Sequence, residues 1–220
     1  MVLKYSTRKA LKTLERCSMY REDSEAWVDC PDRDRWVFNK LEVARRSGHV
    51  CGPKGVPVPK PGRYVIRPII NLLGMGRGAT IVDLKWCTMD IPDGYFWCEE
   101  FKGRHLSVDY TSTRQELTVE GFRRAEDPLW RWSKWRKAGD VVPFPDVATS
   151  LLASHTHFNV EYIGDKVIEI HLRHNPDWRD LDVKEMIPVF KGDNVEIPPG
   201  FYFKPSGDFE RVGFLISTSR

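Results

Sequence analysis

The residues best placed to do chemistry lie in NVEYIGDKVIEIHLR, residues 159 to 173, two alternating stretches around Gly164-Asp165. Alternation puts Glu169, His171 and Arg173 on one face of the second stretch. A tight hairpin brings Glu161 of the first stretch close to Glu169 or His171. Two carboxylates aimed at a mostly apolar layer repel each other, at a cost on the order of several kcal/mol if desolvated unpaired. A divalent cation resolves that conflict. Oxygen-rich donors favour Mg2+ or Mn2+, ions that bridge substrate phosphates rather than sit in full protein cages. The alternative is a two-sided sheet edge with Glu169, His171 and Arg173 facing water.

Three further segments carry chemical potential. In YVIRPIINLLGMGRGA, residues 64 to 79, a strand bearing Arg67 runs into Gly74, Gly76 and Gly78. Such a loop lets backbone amides approach phosphate closely, although it lacks the G-x-x-x-x-G-K-[ST] spacing of a P-loop. A hairpin turn with glycines at positive φ is the other reading. In FWCEEFKGRHLSVDY, residues 96 to 110, Glu99 and Glu100 close one strand and Gly103 turns the chain. Ser107, Val108 and Asp109 then alternate along the next, a pattern an ordinary charged hairpin also gives. In LWRWSKWRKAG, residues 129 to 139, tryptophans interleave with basic residues, as in elements that bind single-stranded nucleic acid or a membrane surface. Trp132 and Trp135 at helical spacing are better explained by burial against a sheet, with Arg and Lys reaching outward.

These residues need elements to hold them. Residues 7 to 21 predict a helix, with Leu11 and Leu14 on one face behind a Ser6/Thr7 cap, and a polar acidic stretch follows to Asp34. Residues 36 to 46 predict a second helix, ended by Ser47-Gly48. The Pro/Gly-dense run from 51 to 63 must be loop or extended connector. Strands are expected at 64 to 70, 79 to 89, 95 to 101, 102 to 114 and 115 to 124. Helices are expected at 127 to 140 and 145 to 157, before the hairpin and a tail of short strands. Strand-rich segments separated by few helices indicate an α+β fold.

Bulk properties set outer limits. With 41% hydrophobic and 30% charged residues, the 220-residue chain can build a core and is not a disordered tail. A net charge of +3 admits an anionic ligand but is no footprint for nucleic acid. Cys17, Cys30, Cys51, Cys87 and Cys98 are odd in number and lack C-x-x-C spacing, so reduced thiols are expected rather than a disulfide framework. Neither a signal-peptide run nor a membrane span is evident, which gives a cytoplasmic expectation.

In their order along the chain, these motifs resemble those of the ATP-grasp superfamily. The resemblance covers residues 39 to about 175: NKLEVA with Lys40, VIRP with Arg67, LLGMGRGA, CEEFKGRHLSVDY and NVEYIGDKVIEIHLR. It implies two small α+β subdomains with antiparallel sheets sandwiching ATP. A short helical segment (1–35) would precede a lid subdomain (36–101) with the glycine-rich loop. A larger subdomain (102–220) would carry the metal-binding hairpin. Nucleotide would be held by Lys40, Arg67, Gly74, Gly76, Gly78, Glu99, Glu100 and His105. Mg2+ or Mn2+ would be held by Glu161, Glu169 and His171, with Arg67 and Arg173 stabilising the transferring phosphoryl group.

Three positions depart from the family pattern. Arg67 replaces the usual second lysine, His105 replaces an acidic residue that meets ribose, and His171 replaces a metal-binding asparagine. The implied activity is ATP-driven ligation of a carboxylate to an amine or thiol through an acylphosphate, on a small-molecule or peptide substrate. A nucleotide-binding protein on a degenerate scaffold is the alternative. Fewer than 40 residues precede Lys40, so a reduced acceptor site is expected, or one completed by another subunit of a homodimer. The compact size is similar to that of short family members in bacteriophage genomes, whose setting would be the host cytoplasm.

Overall fold

The computed structural model describes residue 20 and residues 22–70, 72, 76–179, 181–208 and 210–218. The helix expected over 7 to 21 and the loop residue Gly74 lie outside these, Tyr20 apart. Two antiparallel sheets organise the chain. The smaller has the order β1-β4-β2-β3, from β1 (Cys51–Pro53), β2 (Gly62–Pro68), β3 (Thr80–Leu84) and β4 (Tyr95–Glu99).

Alternation gives the small sheet two unlike faces. Tyr64, Ile66, Leu84 and Trp97 pack with Val58 and Ile91 on one side. On the other, cross-strand pairing lines up Cys51, Cys98, Val65 and Ile81 in a row, with Phe96 paired to Arg67 beside it. Leu41 and Ala44 of the helix Lys40–Arg46 pack against Phe96 and Cys98.

The larger sheet takes the order β11-β12-β10-β7-β6-β5-β8-β9. Its strands are β5 (His105–Thr111), β6 (Arg114–Phe122), β7 (Lys134–Lys137), β8 (His157–Ile163), β9 (Lys166–His171), β10 (Glu185–Phe190), β11 (Phe201–Asp208) and β12 (Arg211–Ser217). Leu106, Val108, Tyr110, Phe158, Val160, Ile170 and Leu172 bury one face against Ala26, Val37, Phe38, Val43 and Leu151. The opposite face carries the polar alternates His105, Ser107, Asp109, Glu161, Asn159, Glu169 and His171.

The expected helices were cut differently by local chemistry. The acidic stretch holds a helix, α1 (Asp23–Asp29), closed by a capping box between Glu22 and Glu25. The run from 36 to 46 is broken at Asn39: a 3-10 segment spans Asp32–Phe38, and helix α2 spans Lys40–Arg46. Asn39 Oδ1 accepts from Glu42 N at 3.0 Å, so a mid-run polar residue acts as an N-cap. Residues 145 to 157 yield a 3-10 segment, Asp146–Ala153, with His157 already in β8.

The helix expected over 127 to 140 is a correction. Lys134–Lys137 forms β7, inside the large sheet between β6 and β10. Trp132 and Trp135 are three apart as on a helix, yet their rings meet over Gly121, where a Cβ would lie 2.9 Å from both. The missing side chain makes the room, and sheet pairing overrides the periodicity.

The chain crosses from the small sheet to the large through Gly103, which lies directly on the tip of the β8–β9 hairpin. Gly103 has φ +127°, and a Cβ there would stand 2.8 Å from Gly164 Cα; one on Gly164, at φ +61°, would stand 2.8 Å from Lys102 O. Gly103→Ala is therefore expected to lower unfolding free energy by about 1–3 kcal/mol. Gly139→Ala, with nothing within 4 Å, should stay within about 0.5 kcal/mol; chemical denaturation of both variants checks the difference.

Candidate functional site

The two sheets face each other across a cavity of about 1130 Å3. Val65, Ile81 and Cys98 line it from the small sheet, and His105, Glu161, Glu169 and His171 from the large. A bulge shapes the large-sheet wall. Glu161 pairs with Glu169 and Tyr162 with Val167, which leaves Ile168 over. A bulged residue has no ladder partner. Here Arg67 Nη2 crosses from the small sheet and donates to Ile168 O at 2.8 Å, while His49 Nε2 donates to Val167 O at 2.7 Å. The irregularity beside Glu169 is thus where the sheets are tied together.

Along this wall a buried chain of charges is closed by an acid that sequence reasoning missed. Asp23, at the start of α1, accepts at Oδ2 from His171 Nδ1 at 2.6 Å, and its Oδ1 lies 3.0 Å from Arg173 Nε. Lys40 Nζ stands 2.6 Å from Glu169 Oε1, and His171 Nε2 3.8 Å from the same oxygen. Ligand atoms of Asp23, Glu169 and His171 all lie within 4.8 Å of one another. The neighbouring Glu161 turns to His105, Oε2 to Nε2 at 3.4 Å, and is the more open, its side chain 25% exposed. Nothing in a polar stretch such as REDSEAW marks one acid for a partner 148 positions away.

Electrostatics follows from this packing. Burial raises the Asp23 carboxyl, but His171 and Arg173 beside it outweigh that and hold it at about 2. Burial disfavours the His171 imidazolium, yet Asp23 and Glu169 keep its pKa above the usual value. For Glu161, burial is outweighed by the His105 contact and by His171 and Lys40, so it too is held low. The repulsion between Glu161 and Glu169 is therefore met by Lys40, His105 and His171. Asp23 Oδ1 and Arg173 Nε, 3.0 Å apart, and His105 Nε2, 3.4 Å from Glu161 Oε2, are thus buried as ion pairs.

The remaining predicted residues are spread around this centre. Glu99 ends β4 and accepts from Val50 N at 3.1 Å; Glu100 is engaged by Arg63 and Lys102. The His105 ring packs on Trp132, 4.4 Å between centroids. Gly76 lines the cavity with Arg77 and Ala79. Gly78, at φ +75°, sits so close to Tyr95 that a Cβ would lie 2.5 Å from its hydroxyl. A second network behind the charges was also missed. Asn159 Nδ2 donates to Ser107 Oγ and Asp109 Oδ1 at 2.8 and 2.9 Å, and Asn175 N donates to Asp109 Oδ1 at 2.8 Å. It holds the segment after β9 against β5.

No family model matches the sequence, and no curated protein matches it. Solved structures do. N5-carboxyaminoimidazole synthetase from Staphylococcus aureus, complexed with ADP, aligns with a TM-score of 0.53 at 12% identity, over 83% of this chain and 68% of its own. Carboxyaminoimidazole ribonucleotide synthase from Aspergillus clavatus, complexed with ATP, aligns with a TM-score of 0.51 at 14% identity, over 84% and 69%. This is an ATP-grasp fold. A protein from Archaeoglobus fulgidus described as belonging to the ATP-grasp superfamily aligns at 15% identity and a TM-score of 0.47. The present chain spans 64% of that protein, less than two thirds of its length. Among the described residues, no helix is long and apolar enough to cross a membrane.

Two measurements probe the charge chain. Lys40→Met leaves Glu169 buried without its closest cation and should cost on the order of 3–5 kcal/mol, read by urea denaturation at pH 7. Because the Asp23 pKa is depressed in the folded state, its stabilisation is complete above about pH 4 and lost as pH falls through about 2. The contribution at neutral pH is about 2 kcal/mol. Asp23→Asn should flatten the stability–pH profile in that acid window; an unchanged slope would show that Asp23 titrates normally.

Proposed function

We propose that this chain binds ATP with a divalent cation in the cavity between its sheets and uses it to ligate a carboxylate to an amine or thiol. The observation that carries this reading is a convergence at one cavity wall of an ATP-grasp fold. Arg67 reaches there from the small sheet, and Lys40, Arg173, Glu161, Glu169 and Asp23 gather around β8 and β9. Cations next to carboxylates are what a phosphate chain and its counter-ion need together.

The donor set suits such an ion in part. Carboxylate oxygens of Asp23, Glu161 and Glu169 are the hard ligands that Mg2+ takes. His171, held towards its protonated form by Asp23, is not a ligand in that state; it orients Asp23 instead. When bound, the ion would offset charge between the phosphates. The chain's own residues do the rest. Arg67 and Arg173 offer guanidinium groups, suited to the oxygens of a transferring phosphoryl group. The row Val65, Ile81 and Cys98 offers an apolar wall for a nucleobase. Gly76, at the cavity, has no side chain to keep phosphate from its backbone. A carboxylate bound beside the γ-phosphate would attack it, breaking the bond to the β-phosphate so that ADP leaves and an acylphosphate remains. The amine or thiol would then attack the acyl carbon, losing its proton as inorganic phosphate leaves.

A second reading has its own observation: Asp23 and Glu169 are already compensated by Lys40, His171 and Arg173. A scaffold so satisfied could hold nucleotide without turnover. Titration of ATP with and without Mg2+ by calorimetry tests the site. Magnesium-dependent binding is expected, weakened at least about tenfold (about 1.4 kcal/mol) by Arg67→Ala, with Glu169→Gln removing the Mg2+ dependence. Absence of binding in the native protein would overturn the proposal. Binding without ADP release across amino acids and small carboxylates would favour the second reading.

A further inference from the structure

Across the small sheet, Cys51 of β1 stands opposite Cys98 of β4. The flanking hydrogen bonds show which kind of pair this is. Glu99 N donates to Val50 O at 3.0 Å and Lys54 N to Tyr95 O at 3.4 Å. Pairs 50/99 and 54/95 therefore belong to the hydrogen-bonded set, and 51/98 and 53/96 to the alternate set. Pro53, with no N–H to give, fits that assignment. In such a pair the Cα atoms approach to about 4.5 Å with both side chains on one face. That lies within the roughly 4.4–6.8 Å that a disulfide bridges. Both thiols are free, both belong to one apolar cluster with Leu41, Ala44 and Phe96, and each lies in the other's field.

We propose that Cys51 and Cys98 form a reversible cross-strand disulfide, a modification site for small-molecule disulfides such as oxidised glutathione, set in the wall of the cavity. Cys51 is half-buried on an edge strand and is the point of entry; Cys98 is 4% exposed. The Cys51 thiolate attacks one glutathione sulfur, the S–S bond breaks, and one glutathione thiolate leaves. Cys98 then loses its proton and attacks the Cys51 sulfur, and the second glutathione leaves. The two protein thiols give up two protons and two electrons, and the oxidant accepts both electrons. Burial pushes the Cys98 thiol up to about 12 and raises Cys51 as well, so the exchange is slow at neutral pH.

The bond also has a consequence for the cavity. Cys98, Val65 and Ile81 line it side by side, and linking Cys98 to Cys51 turns its sulfur towards β1 and alters that wall. An effect on nucleotide rests on the ATP-site reading above; the bond itself does not.

Incubating the full chain with oxidised glutathione in mildly alkaline buffer tests the proposal. The expected result is a peptide containing Cys51 linked to one containing Cys98, found by non-reducing peptide mapping and released by dithiothreitol. Cys87→Ser should leave the link intact, whereas Cys51→Ser or Cys98→Ser should abolish it. Cys51→Ser, at the more open position, decides the matter if Cys98→Ser fails to fold. A stable glutathione adduct on Cys51 without the link, or a link from Cys98 to another cysteine, would overturn the proposal. ATP affinity of the crosslinked protein should fall several-fold. An unchanged affinity would remove the effect on the cavity, and failure of the reduced protein to bind ATP would count against the nucleotide reading alone.

Discussion

Burying Asp23, Glu169, Lys40, His171 and Arg173 together is the constraint on which the rest of this structure depends. Each of these groups is nearly removed from water, and any one left unmatched would cost several kcal/mol. The cluster is tolerable because its charges close on one another, with Glu161 nearby. Three carboxylates then face Lys40, Arg173 and His171, whose imidazolium form Asp23 and Glu169 favour. To bring these groups together, the chain must deliver Asp23 from α1, Lys40 from α2, and the rest from β8, β9 and the segment after it. The packing of α1, the 3-10 segment and α2 against the large sheet through Ala26, Val37, Phe38 and Val43 is what makes that delivery accurate.

The same strand that carries Glu169 also joins the two sheets. A regular β9 would spend the carbonyl of Ile168 on the ladder. The bulge frees it for Arg67, and places His49 on Val167 one residue away. The cavity therefore owes its shape and its charge to a single irregular turn of pairing. Gly103 and Gly164 add a backbone contact at the end of the same hairpin, where no side chain would fit. A ligand held between the sheets would be gripped by walls that share one strand.

Much of this was legible in the sequence. The hairpin from 159 to 173 reads from its period of two and its Gly-Asp turn, and that period puts Glu169, His171 and Arg173 on one face. The pairing of Glu161 with Glu169 itself depends on the bulge, since a regular hairpin would set Glu161 opposite Ile168. The α+β character follows from strands of alternating residues with few helical runs. What escaped depended on contacts across sequence. Asp23 has no local pattern that ties it to His171. The bulge at Ile168 has no signature in VIEIH. Trp132 and Trp135 carry helical spacing, and only the absent side chain at Gly121, paired to Trp135 across the sheet, reveals why Trp135 lies on a strand with the Trp132 ring beside it. Asn39 was read as an interior helix residue because capping depends on the backbone that precedes it.

The self-compensated cluster also bears on how, on the proposed reading, a site whose charges balance within the chain can receive an anion. In the structure, Lys40 and Arg173 are spent on Glu169 and Asp23. On the proposed reading, a phosphate chain entering the cavity competes for those cations with more charge and more acceptor oxygens than a carboxylate has. Each cation drawn to phosphate leaves a carboxylate uncompensated in a low-dielectric wall, where that charge is costly. The carboxylates so exposed are hard oxygen donors, and a divalent counter-ion arriving with the phosphates meets that cost. Anion and cation then enter more favourably together than either does alone. On that reading His171, hydrogen-bonded to Asp23 at 2.6 Å and favoured as imidazolium by Asp23 and Glu169, keeps its acid while Lys40 and Arg173 turn to phosphate.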